Sequence, residues 1–397
     1  MPTPTQPAGV PQRPPDELTA KVGPVVERVD RFWARVTEGR HVDELWRSFL
    51  TDARTSYRLY SKDVDAERVA GMSKGKHFFR LVGQFFWAVL EKLTPARRVL
   101  LLVALVLMFG PSGEATWHSS NGELKFFSFD GHFWGALLML FLLVLEVGDR
   151  VVMKRDLQIA KEIQTWLLPA NPPSIQGLEI AFATRPANTV AGDYYDVFPR
   201  GGPAGESKWV FAMADVAGKS IPAALLMATI QASLKTLAAT PSSLPDLVGK
   251  MNRYACSNSQ EGRRFTTMFL AEYEPATRTL TYVNAGHNSP AVRRQSGAIE
   301  KLDRGGIPLG ILEAASYDAG SLVLQPGDWL VVFTDGVVEA ENNLTEEYGE
   351  PRLLFVVHTG AAFSPSQLLQ SIMTDLDRFV AGAPQHDDVT CMLVKAT

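Results

Sequence analysis

Two apolar runs constrain this chain more than any other feature. Val99–Phe109 is unbroken over 11 residues, and Phe133–Leu145 is interrupted only by Gly135. A helix that is apolar on every face has to be covered, by a large protein core or by lipid. Each run is shorter than the about 20 residues a spanning helix needs. Extending the first through Gly110–Trp117, and the second back to Phe126 or forward to Val147, brings each near the lower limit. Lys92, Arg97 and Arg98 precede the first run, Arg150, Lys154 and Arg155 follow the second, and the loop 111–131 between them holds one lysine, Lys125. Basic residues gather on the cytoplasmic side of a membrane. The expectation is therefore a two-helix transmembrane hairpin over 96–148 with both termini cytoplasmic. Trp117 and Trp134 stand where an aromatic belt would place them. The competing reading is a pair of buried helices in a soluble domain.

The flanking regions are different in kind. Residues 1–15 contain six prolines and are expected to form a disordered tail. Residues 16–95 read as a helical cytoplasmic region with spaced apolar positions such as Val25, Val29, Phe32 and Trp33. No charged-then-apolar secretory signal opens the sequence. A helical linker is expected over 149–175. Val152, Ile159, Ile163 and Trp166 share one of its faces at heptad-like spacing. That stripe suits a homodimeric coil through residues 150–168, or packing onto the domain that follows.

Charge separates the two halves. Residues 1–156 hold 21 Lys+Arg against 18 Asp+Glu, whereas 157–397 hold 18 against 25, a net of −7. An acidic second half argues against a nucleic-acid partner. The two cysteines, Cys256 and Cys391, are too few for a disulfide scaffold or a cysteine zinc site.

From Gly177 onward, strand-like runs alternate with helices. Leu178–Thr184, Lys208–Ala214, Trp329–Phe333 and Val389–Val394 read as strands, and Thr267–Tyr273 with Thr279–Val283 reads as a hairpin. Pro222–Ala239 and Pro365–Val380 read as helices opened by proline. Hairpins mixed with segregated helices indicate an α+β domain with antiparallel sheets over 176–397.

Four acidic clusters stand at the ends of these strands: Gly192-Asp193-Tyr194-Tyr195-Asp196, Ala214-Asp215-Val216-Ala217-Gly218, Thr334-Asp335-Gly336 and Asp387-Asp388. Any one of them alone is ordinary turn or capping chemistry. Together they would meet where the strands leave the core. Crowded carboxylates repel and raise one another's pKa, which a divalent cation compensates. Hard Mg²⁺ or Mn²⁺ suits oxygen donors, and no paired His or Cys points to zinc.

The C-terminal part resembles the metal-dependent serine/threonine phosphatases of type 2C, in the bacterial branch of the SpoIIE and RsbU kind. The matching stretches are LQIAKEIQTWLLP (157–169), AGDYYDVF (191–198), ADVAGKS (214–220), RFTTMFLAEY (264–273), YVNAGHNSP (282–290), GGIPLGI (305–311), LQPGDWLVVFTDGVVEAEN (324–342) and DDVTCMLV (387–394). They span about 240 residues, and the first 150 take no part.

The resemblance implies an α-β-β-α sandwich of two antiparallel sheets with two metal ions, Mn²⁺ or Mg²⁺, at one end. Asp193, Asp215, Asp335 and Asp387 would be the metal-site acids, with Asp215 bridging both ions and the Val216 carbonyl completing one shell. Asp388 stands beside Asp387 as a further candidate. Gly218 would turn a tight loop, Ser220 replaces the family's usual second glycine there, and Gly336 would allow a tight turn beside the metals. Two ions about 4 Å apart can share a water and lower its pKa, giving a hydroxide that attacks phosphorus in line. His287 is expected to order a loop near the site rather than act as an acid. Lys219 and Arg185 are weaker candidates for phosphate contact. The implied substrate is phosphoserine or phosphothreonine on a protein, most typically an anti-sigma-factor antagonist in partner-switching signalling. The implied location is the inner membrane, multi-pass, with the catalytic domain cytoplasmic. The linker helix is expected to reorient the helices around 220–258 and so move Asp215 and Gly218. The alternatives are a catalytically silent membrane signalling scaffold of the same fold and a metal-dependent nuclease or phosphodiesterase.

Overall fold

The computed structural model describes Trp87, Leu90 and residues 93–110, 130–201, 208–218, 221–258 and 264–397, together with the backbone of 113–118 and 124–129. The expected tail over 1–15, nearly all of the region 16–95, and Lys219 and Ser220 lie outside the described residues. The chain divides into two units, one reaching Val147 and one running from Gly148 to Thr397.

In the first unit, helix α1 (Pro95–Phe109) starts with proline in its first turn and stops at Gly110, which is extended. Pro111 follows Gly110, and a residue before proline is pushed out of the helical region. Next comes a hairpin of β1 (Gly113–His118) and β2 (Leu124–Phe129), paired from Gly113↔Phe129 to His118↔Leu124. The first helix therefore does not continue through Trp117 and the second does not reach back to Phe126, both residues being in strands, whereas the other extension of the second run, forward to Val147, lies within the next helix. Helix α2 (Gly131–Leu167) is 37 residues long. It opens at Asp130, whose carboxylate accepts the Phe133 N–H at 3.1 Å. Gly135 lets α1 and α2 touch, since a Cβ there would lie 2.8 Å from the Met108 nitrogen. The other faces of these helices stay exposed, among them Val99, Val106, Phe109, Leu140, Leu143 and Val144. Helix α1 has only 15 residues. Among the described residues one helix, Ile221–Ala238, is long and apolar enough by composition to cross a membrane.

That helix, α3, belongs instead to the core of the second unit, where Met227 and Leu234 are fully buried. The second unit is built on two sheets. In the first, β4 (Tyr194–Arg200), β5 (Lys208–Val216), β6 (Thr266–Glu274) and β7 (Thr279–Ala285) lie side by side. Beyond them, β10 (Gly305–Gly306) and β11 (Gly320–Val323) both pair with β7. The second runs β3-β13-β12-β8-β9, formed by Leu178–Arg185, Val389–Ala396, Trp329–Phe333, Ala291–Arg293 and Ile299–Lys301. All pairings are antiparallel except the two-residue contact of β10 with β7.

Alternation along the strands assembles three apolar layers. Phe211, Met213, Phe269 and Ala271 meet Leu330, Val332, Met392 and Val394 between the sheets. Val210, Ala212 and Ala214 point outward against α3 and α4 (Leu244–Ser257). Trp329, Val331 and Phe333 point outward against α6 (Glu350–Thr359) and α7 (Pro365–Val380). Strands covered on both faces read as continuous apolar runs, which is why they stand out in the sequence. The helices are fixed at their starts: Ser243 caps α4, and Ser364 forms a reciprocal capping box with Gln367 on α7. Arg200 pairs with Glu272 out of solvent and also donates to the Ala238 carbonyl at the end of α3. The result is an α-β-β-α sandwich.

Candidate metal centre

Strand order brings distant acids to one end of this sandwich. Asp193 immediately precedes β4, and the Tyr194↔Ala214 register sets it beside Asp215 near the end of β5. Asp335 follows β12 as the first residue of the short helix α5 (Asp335–Val338). Asp387 and Asp388 immediately precede β13, whose Cys391 pairs with Phe333 at the end of β12.

The electrostatics record how close these groups are. Burial pushes the Asp215 carboxyl up to about 7, with Asp335, Asp387 and Asp388 adding repulsion. Burial likewise holds Asp193 well above the usual carboxylate range, with Asp215 and then Asp388 contributing. Glu339, one residue past α5, is raised by burial and by Asp335, Glu347 and Asp387. A donor set of crowded oxygens that resists ionisation is what a hard cation stabilises. Among the described residues no three His, Cys, Asp or Glu side chains close on a common point tightly enough to cage an ion by themselves. Mg²⁺-type sites keep several waters and use few protein ligands, so the set still fits. The Val216 carbonyl lies in it too: a Cβ at Gly192 would sit 3.2 Å from that oxygen and 3.8 Å from Asp215 Oδ1.

Asp193 is 2% exposed and is held by two hydroxyls. Thr390 Oγ donates to its Oδ2 at 2.5 Å, and Thr334 Oγ lies 3.0 Å from the same oxygen. Neither threonine is picked out by sequence, because a β-branched residue at a buried strand end reads as packing. Asp388 differs from its neighbour. Its carboxylate accepts the N–H of Ala187 at 2.7 Å and of Gly192 at 2.5 Å, fixing the loop that carries Asp193. Gly336 lies in the single turn of α5 that follows β12, and it turns there without a left-handed backbone. A Cβ there would lie 2.2 Å from the Asp388 carbonyl oxygen, so glycine serves close approach instead. Gly218 does adopt a positive φ, of 116°.

The remaining candidates separate. Asp196 is turned away from the acids and pairs with Lys235 at 2.7 Å. His287 is buried, its Nδ1 lies 2.9 Å from Thr267 Oγ, and burial pulls its pKa down to about 4. Asn284 accepts the His287 N–H at 2.7 Å and donates to its carbonyl at 3.0 Å, so the residue is built into a loop. Thr267 pairs across the strands with Asp215, which places this loop beside the acids. Arg185 bonds Asp377 at 2.5 Å. It also lines a cavity of about 220 Å³ with Glu339, Glu341, Glu347, His386 and Asp387.

Comparison with known proteins places the domain. The family model described as stage II sporulation protein E (SpoIIE) matches residues 205–397. Protein IcfG of Synechocystis is 25% identical over 279 residues, which are 64% of this chain and 43% of that protein. The phosphoserine phosphatase RsbU of Bacillus subtilis is 29% identical over 251 residues, 62% of this chain and 72% of RsbU. The chain thus spans less than half the length of IcfG. Among solved structures, the SiaA-PP2C domain of Pseudomonas aeruginosa superposes with a TM-score of 0.54 at 19% identity, over 63% of this chain and 98% of that one. That likeness is one of fold.

Proposed function

We propose that this chain, whose residues 205–397 match the SpoIIE family model, is a metal-dependent phosphoprotein phosphatase acting on phosphoserine or phosphothreonine. The observation that carries the reading is the gathering of Asp193, Asp215, Asp335 and Asp387 at one end of the sandwich, with Asp215 driven up to about 7. RsbU, a similar protein, is named a phosphoserine phosphatase. Asp193, Asp215, Asp335, Asp387 and the Val216 carbonyl would hold two Mn²⁺ or Mg²⁺ ions, with Asp215 shared between them. Bound there, the ions supply an activated water and neutralise charge on the phosphoryl oxygens. The protein's own part is to hold the donors. Thr334 and Thr390 both hold Oδ2 of Asp193, which fixes that carboxylate in place. Asp388 clamps the main chain at Ala187 and Gly192.

The finer reading follows the resemblance: the substrate is a phosphorylated anti-sigma-factor antagonist in partner switching. We further infer that the first unit sits in the inner membrane with the phosphatase domain cytoplasmic. The exposed apolar faces of α1 and α2 support this, Phe109 being 80% exposed. A homodimer through residues 150–168 belongs to the same proposal, supported by the exposed stripe of Val152, Ile159, Ile163 and Trp166.

The test is phosphate release from a phosphoserine peptide by the full chain in Mn²⁺. Release is expected, and Asp335→Ala is expected to abolish it while the protein stays folded. A folded wild-type chain that binds Mn²⁺ yet releases nothing would favour a silent scaffold.

A further inference from the structure

Gln164 lies in the last turns of α2 and is only 7% exposed. Its side-chain amide grips a single residue from both sides. Gln164 Nε2 donates to the Ala191 carbonyl at 2.7 Å, and the Ala191 N–H donates to Gln164 Oε1 at 2.9 Å. Ala191 belongs to no strand, so the glutamine amide takes the place of a neighbouring strand for its backbone. The two residues that follow are held by other elements. Gly192 gives its N–H to Asp388, and Asp193 is fixed by Thr334 and Thr390. Three successive residues ending in a candidate metal ligand are therefore pinned from three directions, one of them the helix that enters the domain.

Among the described residues, the end of α2 has few other polar ties to the sandwich. Gln231 on α3 donates to the Leu167 carbonyl at 3.5 Å, a weak bond. Leu168 packs at the edge of two apolar layers. The expected route from the linker through the helices around 220–258 has that one long bond behind it, whereas the route to Asp193 has two short buried ones.

We propose that Gln164 is a positioning residue for Asp193, so that the affinity of the acidic site for a divalent cation depends on the last turns of α2 being docked through this amide. The inference rests on the metal-centre reading above and adds to it the element that controls the site. A buried main-chain N–H and C=O released together cannot stay where they are unpaired. Residues 190–193 would shift to reach other partners, carrying Asp193 with them. Displaced outer supports typically weaken metal binding by about 10–100-fold.

The experiment measures Mn²⁺ affinity of the full chain from the loss of the free-ion electron paramagnetic resonance signal. Folding is followed by circular dichroism at the same temperature. Gln164→Leu removes both bonds at similar size and is expected to weaken Mn²⁺ binding at least about ten-fold. Thr165→Ala, at an exposed position on the same turn whose hydroxyl bonds only within the helix, is expected to leave Mn²⁺ affinity unchanged. Gln164→Glu keeps the acceptor for the Ala191 N–H but loses the donor. Its added negative charge alone would favour a cation, so weaker Mn²⁺ binding in this variant supports positioning. If Gln164→Leu fails to fold, the Gln164→Glu result decides. Wild-type affinity in a folded Gln164→Leu or Gln164→Glu overturns the inference and leaves the metal centre standing. A wild-type chain that takes up no Mn²⁺ overturns both.

Discussion

Asp388 Oδ1 accepts the main-chain N–H of Ala187 at 2.7 Å, joining residues 201 positions apart. Its neighbour Asp387 adds to the repulsion on Asp215. Both carboxylates repel Asp215, but Asp388 also ties down the distant N–H groups of Ala187 and Gly192, whereas Asp387 accepts only the N–H of its neighbour among the described main-chain groups. Without metal at pH 8, Asp387→Asn is expected to raise the melting temperature by relieving that repulsion. Asp388→Asn is expected to lower it by several degrees, since hydrogen bonds to a charged acceptor are worth about 1.5–3 kcal/mol each. Calorimetry on both variants checks this, and shifts of the same sign would refute the division.

Stability should depend on pH in a direction set by the same acids. Asp215 titrates near 7 when folded, against 3.8 for the ordinary group, and Asp193 is also raised. A raised carboxyl contributes fully below the unfolded value and loses its contribution as pH climbs through the folded one. The metal-free domain should therefore weaken from about pH 4 to beyond pH 7. Mn²⁺ pairs with the ionised forms, so its stabilising effect should grow from pH 5.5 to pH 8. Equal melting-temperature gains at both pH values would count against a carboxylate site.

Gly336→Ala tests the close approach of α5 to the chain before β13. The added Cβ would lie 2.2 Å from the Asp388 carbonyl oxygen, a main-chain atom immediately before β13 that cannot swing aside as the tip of a side chain can. A loss of about 1–3 kcal/mol is expected, together with weaker Mn²⁺ binding, because Asp335 and Asp387 flank the contact. Denaturant melts and ion titration read the two effects, and an unchanged variant would be incompatible with this packing.

His287 offers a second pH window. Its folded pKa is pulled by burial to about 4 from 6.5. The unfolded chain thus binds the proton more readily, and stability contributed at neutral pH is lost as pH falls from 6.5 towards 4. The full shift amounts to about 3 kcal/mol. His287→Gln should flatten the acid limb over that window; an unaltered limb would show that the imidazole is not the group responsible.

Much of the sandwich is legible in the residues, and for one reason. Strands such as β5, β12 and β13 are covered on both faces, so their apolar runs end where the sheets end. The acids stand out because they interrupt those runs. The hairpin β1–β2 is hidden for the opposite reason: Phe126 and Phe127 extend an apolar stretch, and only Gly110-Pro111 marks where the helix must stop. Thr334, Thr390 and Gln164 are silent as well. Each makes its contact with a residue far away in sequence, and nothing in its own neighbourhood distinguishes a hydroxyl or amide that packs from one that orients a carboxylate.

Strand β13 lies between β3 and β12, so the last segment of the domain to be synthesised supplies a middle strand of its sheet. During translation, the earlier part of that sheet must wait with an open seam, and the acidic end stays unfinished until Asp387 and Asp388 arrive. A message cut short before codon 387 would then yield a polypeptide with exposed strand edges and an incomplete acid cluster, a candidate for chaperones and proteases.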